Sequence, residues 1–188
     1  MKYICNKTRL LDFIYNSMMN YDFPTEGVFI DLFSGTTSVS QFFKKKDYSV
    51  ISNDFMNYSF VMQKTYIENN LFPKFENLKS HGILDPFEYL NNLIPTKGYS
   101  VENYAPSGTF KRQYFTDENA GYIDSIRDQI QNWFNNDLIN EIEFYTLLSS
   151  LIDASDHVAN MSGTYGAFLK IWRSVALKKL YLKKPEIF

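Results

Sequence analysis

Residues 28–54 read VFIDLFSGTTSVSQFFKKKDYSVISND, and the order of residue types within them decides the fold. Val28-Phe29-Ile30-Asp31-Leu32-Phe33 is a short apolar run, broken by a turn of small residues, Ser34-Gly35-Thr36-Thr37. Apolar residues then return at helical spacing in Val39, Phe42 and Phe43. Tyr48-Ser49-Val50-Ile51-Ser52 makes a second β-branched run that closes on Asn53-Asp54. Strand, tight turn, helix and strand in that order form a crossover unit.

A turn of glycine and small hydroxyl residues lets a ligand approach the backbone, and the following helix start presents main-chain N–H groups to it. A carboxylate ending the next strand, roughly 20 residues on, suits the two hydroxyls of a ribose, and Asp54 lies at that distance from Gly35. The unit therefore reads as nucleotide-binding. Asp31, placed before the turn, has no obvious partner in a dinucleotide. It suits a cationic ligand such as S-adenosylmethionine, which offers an ammonium and a sulfonium.

DLFSGTTSVSQFF followed by ISNDFMNYSFVM resembles the cofactor motif of the adenine-specific (N6) DNA methyltransferases of restriction-modification systems, whose pattern is D/E-x-F-x-G-x-G. Asp31, Phe33 and Gly35 match, and Thr37 stands where the second glycine is expected. The opening KYICNKTRLLDFIYNSMMN resembles the N-terminal motif of the same family through Tyr3 and Lys7, with Cys5 and Asn6 where glycine is common. Read without the resemblance, Tyr3 is a core aromatic and Lys7 a surface charge. The resemblance implies a Rossmann-like S-adenosylmethionine-dependent methyltransferase core of α/β class, partial here. It also implies a cofactor site made of Tyr3, Lys7, Asp31, Phe33, Gly35 and Asp54.

Composition bounds these readings. A chain of 188 residues with 45% hydrophobic and 18% aromatic content holds enough apolar material for a core, so disorder is excluded. No run of 18 apolar residues and no signal-peptide pattern appears, so neither a membrane span nor a secretory leader is expected. A lone Cys5 forms no internal disulfide and agrees with a cytoplasmic protein. His81 and His157 have no ligand-spaced partners, which speaks against zinc or a catalytic triad.

The remaining chain reads as mostly helical. Leu10, Leu11, Phe13, Ile14 and Met18 share one helical face, with Thr8 as a candidate N-cap. Phe55 to Leu71 fits a helix ended by Pro73, and Tyr58 and Phe60 are candidates for an adenine pocket or for the core. A short helix is expected around Pro86 to Leu93, a loop from Tyr99 to Phe110, and an antiparallel pair of amphipathic helices over Asp117–Phe134 and Asn140–Ala154. Leu180-Tyr181-Leu182 reads as a late strand. Residues 1–72 are thus expected to form the cofactor-binding α/β part, and 73–188 a largely helical DNA-recognition insertion.

The net charge is −2, yet residues 170–188 carry five lysines and Arg173 against Glu186 alone. Such a run is either a solvated face or a patch for the phosphates of double-stranded DNA. Tyr165, Lys170, Arg173, Lys178 and Lys179 are the candidate DNA contacts, with glycines at 163 and 166 loosening the adjoining loop.

Asp85-Pro86-Phe87 superficially resembles the family's D-P-P-Y catalytic motif, but it lacks the second proline and reads as a helix cap. No [N/D]-P-P-[Y/F] tetrapeptide occurs in the 188 residues, so no catalytic residue is assigned. The resemblance therefore implies a modification methylase in truncated form, inactive alone. The other reading is a non-catalytic nucleotide- or DNA-binding module from a split or decayed gene, which needs a second polypeptide carrying the catalytic motif.

Overall fold

The computed structural model describes residues 7–163 and 166–188, so the expected extended opening with Tyr3, and Tyr165, lie outside the described residues. The described chain divides into two compact units, 7–72 with 186–188 and 73–163 with 166–185.

In the smaller unit a 3-10 turn, Thr8–Leu10, leads into α1 (Leu11–Met19). Thr8 is not the cap expected of it. The 3-10 turn, closed by Leu10 N donating to Lys7 O at 2.8 Å, supplies the helix entry through the main chain. Then come β1 (Val28–Asp31), α2 (Ser38–Lys44) and β2 (Ser49–Ser52), with the two strands parallel, Val28 opposite Ser49 and Asp31 opposite Ser52.

Strand alternation sends Phe29, Asp31, Val50 and Ser52 inward, while Val28, Ile30 and Ile51 stay exposed. Phe43, fully buried on α2, stacks on Phe29 with ring centroids 3.8 Å apart and meets Tyr48 edge-on at 5.3 Å. Each such pair contributes about 0.5–1.5 kcal/mol beyond its buried area. This aromatic cluster fixes α2 on the strands and so fixes the turn that precedes it.

α3 (Asn57–Gln63) runs into a π-helical turn, Lys64–Glu68. It starts later than the sequence pattern suggests. Asp54 Oδ1 accepts from Met56 N at 2.9 Å and holds Met56 extended, so Phe55 stands outside the helix and is 96% exposed. At the far end the Lys44 ammonium donates to the carbonyls of Tyr66 (3.0 Å) and Asn69 (2.6 Å). Burial pushes the Lys44 pKa down.

The larger unit is helical: α4 (Glu76–Ser80), α5 (Pro86–Asn91), α6 (Tyr99–Tyr104), α7 (Asp117–Asn135) and α8 (Glu141–Val158). α7 and α8 are the expected amphipathic pair. Thr116 caps the first, and Asn140 with Glu143 forms a capping box on the second. Ile126, Ile130 and Trp133 of α7 share a core with Leu147, Leu151 and Val158 of α8. Asp85 caps α5 by accepting from Phe87 N and Glu88 N, with Pro86 at the first helical position.

Two expectations fail here. The stretch from Tyr99, read as loop, begins with α6, because the buried Asp124 carboxylate accepts the main-chain N–H groups of Gly98, Ser100 and Val101 at 2.7–3.0 Å. A Cβ at residue 98 would sit 2.8 Å from Asp124 Cγ, so glycine is needed there.

Leu180–Leu182 forms no strand. Its leucines are buried, but its main chain is held by amide side chains: Leu180 N donates to Asn119 Oδ1 (2.8 Å) and Leu182 N to Asn91 Oδ1 (2.7 Å). The apolar alternation that suggested a strand is present, and among the described residues no neighbouring strand meets it. Among the described residues no helix is long and apolar enough to cross a membrane.

Candidate functional site

The β1–α2 turn and the end of β2 form one hydrogen-bonded assembly. Past the last paired residues the chains stay joined, with Asn53 N donating to Asp31 O (2.8 Å), Ser34 N to Asn53 O (3.0 Å) and Asn53 Nδ2 to Leu32 O (3.1 Å). The turn reverses through two left-handed residues, Gly35 at φ +51° and Thr37 at φ +60°. Glycine adopts that conformation without strain, whereas a β-branched residue resists it by about 1–2 kcal/mol. Thr37 is held there by burial, by its hydroxyl donating to Thr36 O (2.7 Å) and by Gln41 Nε2 donating to Thr37 Oγ1 (2.9 Å).

Asp54 is tied to this turn. Its Oδ2 accepts from Gly35 N at 2.8 Å and its Oδ1 from Met56 N at 2.9 Å. A carboxylate so clamped cannot rotate, yet each oxygen keeps a further lone pair for a ligand hydroxyl. Asp31, opposite Ser52 at the strand ends, accepts from Ser40 Oγ at 2.7 Å, and Ser40 in turn accepts from Ser52 Oγ at 2.8 Å. Ser34 Oγ lies 3.2 Å from Ser59 Oγ and accepts from Gln63 Nε2 (2.9 Å), which moors the turn to α3. Phe33 is 78% exposed beside the turn, and Gly35 has nothing within 4 Å of where a Cβ would stand.

Asp31, Phe33, Gly35 and Asp54 thus converge at the carboxyl ends of two parallel strands. Lys7 is exposed, and Tyr3 lies outside the described residues. Sequence reading missed Ser40 and Ser52. The available signal was a small polar residue, Ser40, on the buried face of α2 beside Val39 and Phe43.

The cationic candidates of the helical unit separate into two kinds. Lys170, Lys178 and Lys179 are exposed, the last of them also hydrogen-bonded. Arg173 is engaged: its guanidinium donates to Met161 O (3.0 Å) and Ala159 O (3.5 Å), and its main-chain N to Asn160 Oδ1 (3.0 Å). Lys179 donates to Asn91 O (3.0 Å) and stands 4.7 Å from the centre of the Tyr122 ring. Lys184 pairs with Asp85 at 2.8 Å. Burial works to raise the Asp85 carboxyl, but the Lys184 ammonium and the N–H groups of Glu88 and Phe87 hold it below its ordinary value.

The smaller unit is thus a parallel crossover with two acids around a glycine turn. Residues 3–188 match the family described as D12 class N6 adenine-specific DNA methyltransferase, and the chain belongs to that family.

The chain is 45% identical over 190 residues to the Type II methyltransferase M.FokI of Planomicrobium okeanokoites, an alignment covering 100% of this chain and 29% of that protein. It is 43% identical over 191 residues to the modification methylase StsI of Streptococcus sanguinis, again covering 100% of this chain and 29% of the relative. Against the Type II methyltransferase M.NlaIII of Neisseria lactamica the identity is 37% over 190 residues, covering 100% of this chain and 54% of the relative. The chain therefore spans between about three tenths and half of the length of these curated relatives. No solved structure matches it.

Proposed function

We propose that this chain supplies the S-adenosylmethionine-binding part, with a Rossmann-like core, and a helical DNA-contacting part of a site-specific DNA adenine-N6 methyltransferase of a restriction-modification system, working on double-stranded DNA in the cytoplasm. The observation that carries the reading is Asp54, whose carboxylate is locked by the N–H groups of Gly35 and Met56 and keeps acceptor capacity for ribose hydroxyls.

The residues present fit this cofactor. Asp54 faces the hydroxyls, Asp31 offers a carboxylate to the ammonium of the methionine end, and the open space at Gly35 admits close approach. Phe33 supplies an apolar wall, with Tyr3 and Lys7 proposed for the methionine side. When bound, S-adenosylmethionine supplies a methyl group made electrophilic by its sulfonium. The chain's own residues bind it, orient it and keep its adenosine end fixed.

For DNA we propose that Lys170 and Lys178, with Tyr165, meet the nucleic acid. Arg173 and Lys179 hold the segment that carries those lysines, through the carbonyls of Ala159, Met161 and Asn91. The second reading is a non-catalytic nucleotide- or DNA-binding module, which the same clamped Asp54 would serve.

Calorimetric titration of the chain with S-adenosylmethionine tests the first reading. Binding that Asp54→Ala weakens at least ten-fold supports it. Binding indifferent to that change removes Asp54 from the site.

A further inference from the structure

The Asp31 carboxylate does not stand alone at the end of β1. Ser40, completely buried on α2, and Ser52, the register partner of Asp31 on β2, form a chain of hydroxyls ending on that carboxylate, Ser52 Oγ to Ser40 Oγ at 2.8 Å and Ser40 Oγ to Asp31 Oδ2 at 2.7 Å. The direction of the protons follows from chemistry. An ionised carboxylate only accepts, so Ser40 must donate to it, and the oxygen of Ser40 then takes its own hydrogen bond from Ser52.

Oxygen-to-carboxylate bonds of this length are the strong, charge-assisted kind. Serine is a weaker helix former than alanine, and a buried hydroxyl is costly unless it is hydrogen-bonded; Ser40 is bonded on both sides. The bond restrains the side-chain torsion of Asp31 and takes one lone pair of Oδ2, which leaves Oδ1 as the less engaged acceptor at the strand end.

We infer that Ser40, backed by Ser52, is a positioning residue for the cofactor's methionine end: it aims the Asp31 carboxylate at the ligand's cationic amino acid moiety and leaves recognition of the adenosine to Asp54. The inference rests on the cofactor reading above and deepens it. It separates the site into two halves with separate supports. Asp54 is clamped by main-chain N–H groups, which no side-chain substitution removes, whereas Asp31 is aimed by hydroxyls, which a single substitution does.

The test is a ligand comparison on the 188-residue chain. S-adenosylmethionine, S-adenosylhomocysteine and 5′-methylthioadenosine share the adenosine, and the last lacks the amino acid end. Ser40→Ala is expected to weaken the first two by about ten-fold, the worth of one charge-assisted bond, and to leave methylthioadenosine within about two-fold. In an Asp31→Ala background the same substitution is expected to add nothing. Ser52→Ala, at a partly exposed site, gives the same selectivity with a smaller loss and serves if Ser40→Ala folds poorly.

Equal weakening of all three ligands makes Ser40 a merely structural residue and overturns the inference while leaving the cofactor reading intact. Independent, additive losses for Ser40→Ala and Asp31→Ala overturn it too. Failure of the unsubstituted chain to bind any of the three removes the cofactor reading and the inference together.

Discussion

Replacing Asn119 by alanine should loosen the helical unit more than any exposed substitution in it. Asn119 is 2% exposed, and its amide makes three bonds to the turn and tail at 176–180: it accepts from Leu180 N (2.8 Å) and donates to Lys178 O (2.9 Å) and Ala176 O (3.2 Å). Leu180 and Ala176 are themselves buried, so the groups left behind at those two positions find no water, each at about 1–3 kcal/mol. Lys178 is exposed and its carbonyl can hydrate, for a loss nearer 0.5 kcal/mol.

The sum is about 2.5–6.5 kcal/mol, a large share of the roughly 5–15 kcal/mol that holds a domain together. Both tryptophans, Trp133 and Trp172, belong to this unit, so tryptophan fluorescence during urea unfolding reports on it selectively. At a slope of roughly 2 kcal/mol per molar the midpoint should fall by about 2 M, while Asn135→Ala on an exposed turn of α7 moves it little. Amide exchange at Leu180 and Leu182 should accelerate in parallel. A loss below about 1 kcal/mol for Asn119→Ala, with those amides still protected, would show that the segment is held by leucine burial alone and refute the reasoning.

Lys44→Met, which strips the ammonium from the carbonyls of Tyr66 and Asn69, should cost the smaller unit about 1–3 kcal/mol by native-state amide exchange, with protection lost first at the end of α3. Asp85 has a folded pKa below its ordinary 3.8, so its contribution to stability is fully present above that value and lost as pH falls through the lowered one. Lys184→Met should therefore destabilise at neutral pH and converge with the parent in acid unfolding, once the pH has fallen through the lowered Asp85 value. In DNA binding, Lys178→Ala should lower the salt slope by about one, and Lys179→Ala should instead disturb the fold through Asn91 and Tyr122. The chain by itself should incorporate no labelled methyl into unmethylated DNA, as scintillation counting of the product would show.

What was legible in the sequence was whatever local periodicity controls. The strands of 28–31 and 49–52, the crossover helix between them, and the long helices α7 and α8 all announce themselves through alternation or 3.6-residue spacing of apolar residues. Asp85 was legible as a cap because capping is written in adjacent residues. The misses share a different cause. α6 is nucleated by Asp124, more than twenty residues away in sequence, and Leu180–Leu182 is bonded to amides 61 and 91 residues distant rather than to a strand. The bonds of Arg173 and Lys179, both read in the sequence as DNA contacts, were likewise invisible there, because the carbonyls they reach belong to other elements.

Thr37 connects the two scales. By local rules a threonine at φ +60° is a defect, since glycine there relieves about 1–2 kcal/mol of strain. In the fold its methyl is buried and its hydroxyl sits between Thr36 O and Gln41 Nε2, contributions of about 1 kcal/mol each that offset the strain. The departure from the glycine pattern is thus compensated one helical turn later, by a glutamine that only the structure identifies as its partner. Thr37 belongs with Gln41, as Asp31 belongs with Ser40 and Asp54 with the Gly35 N–H, so the turn's geometry is carried by these pairs rather than by its glycine alone. A Gln41→Ala substitution should therefore unsettle the turn while leaving the sheet register untouched, whereas Thr37→Gly in the same background should restore it, because glycine holds the left-handed conformation without help.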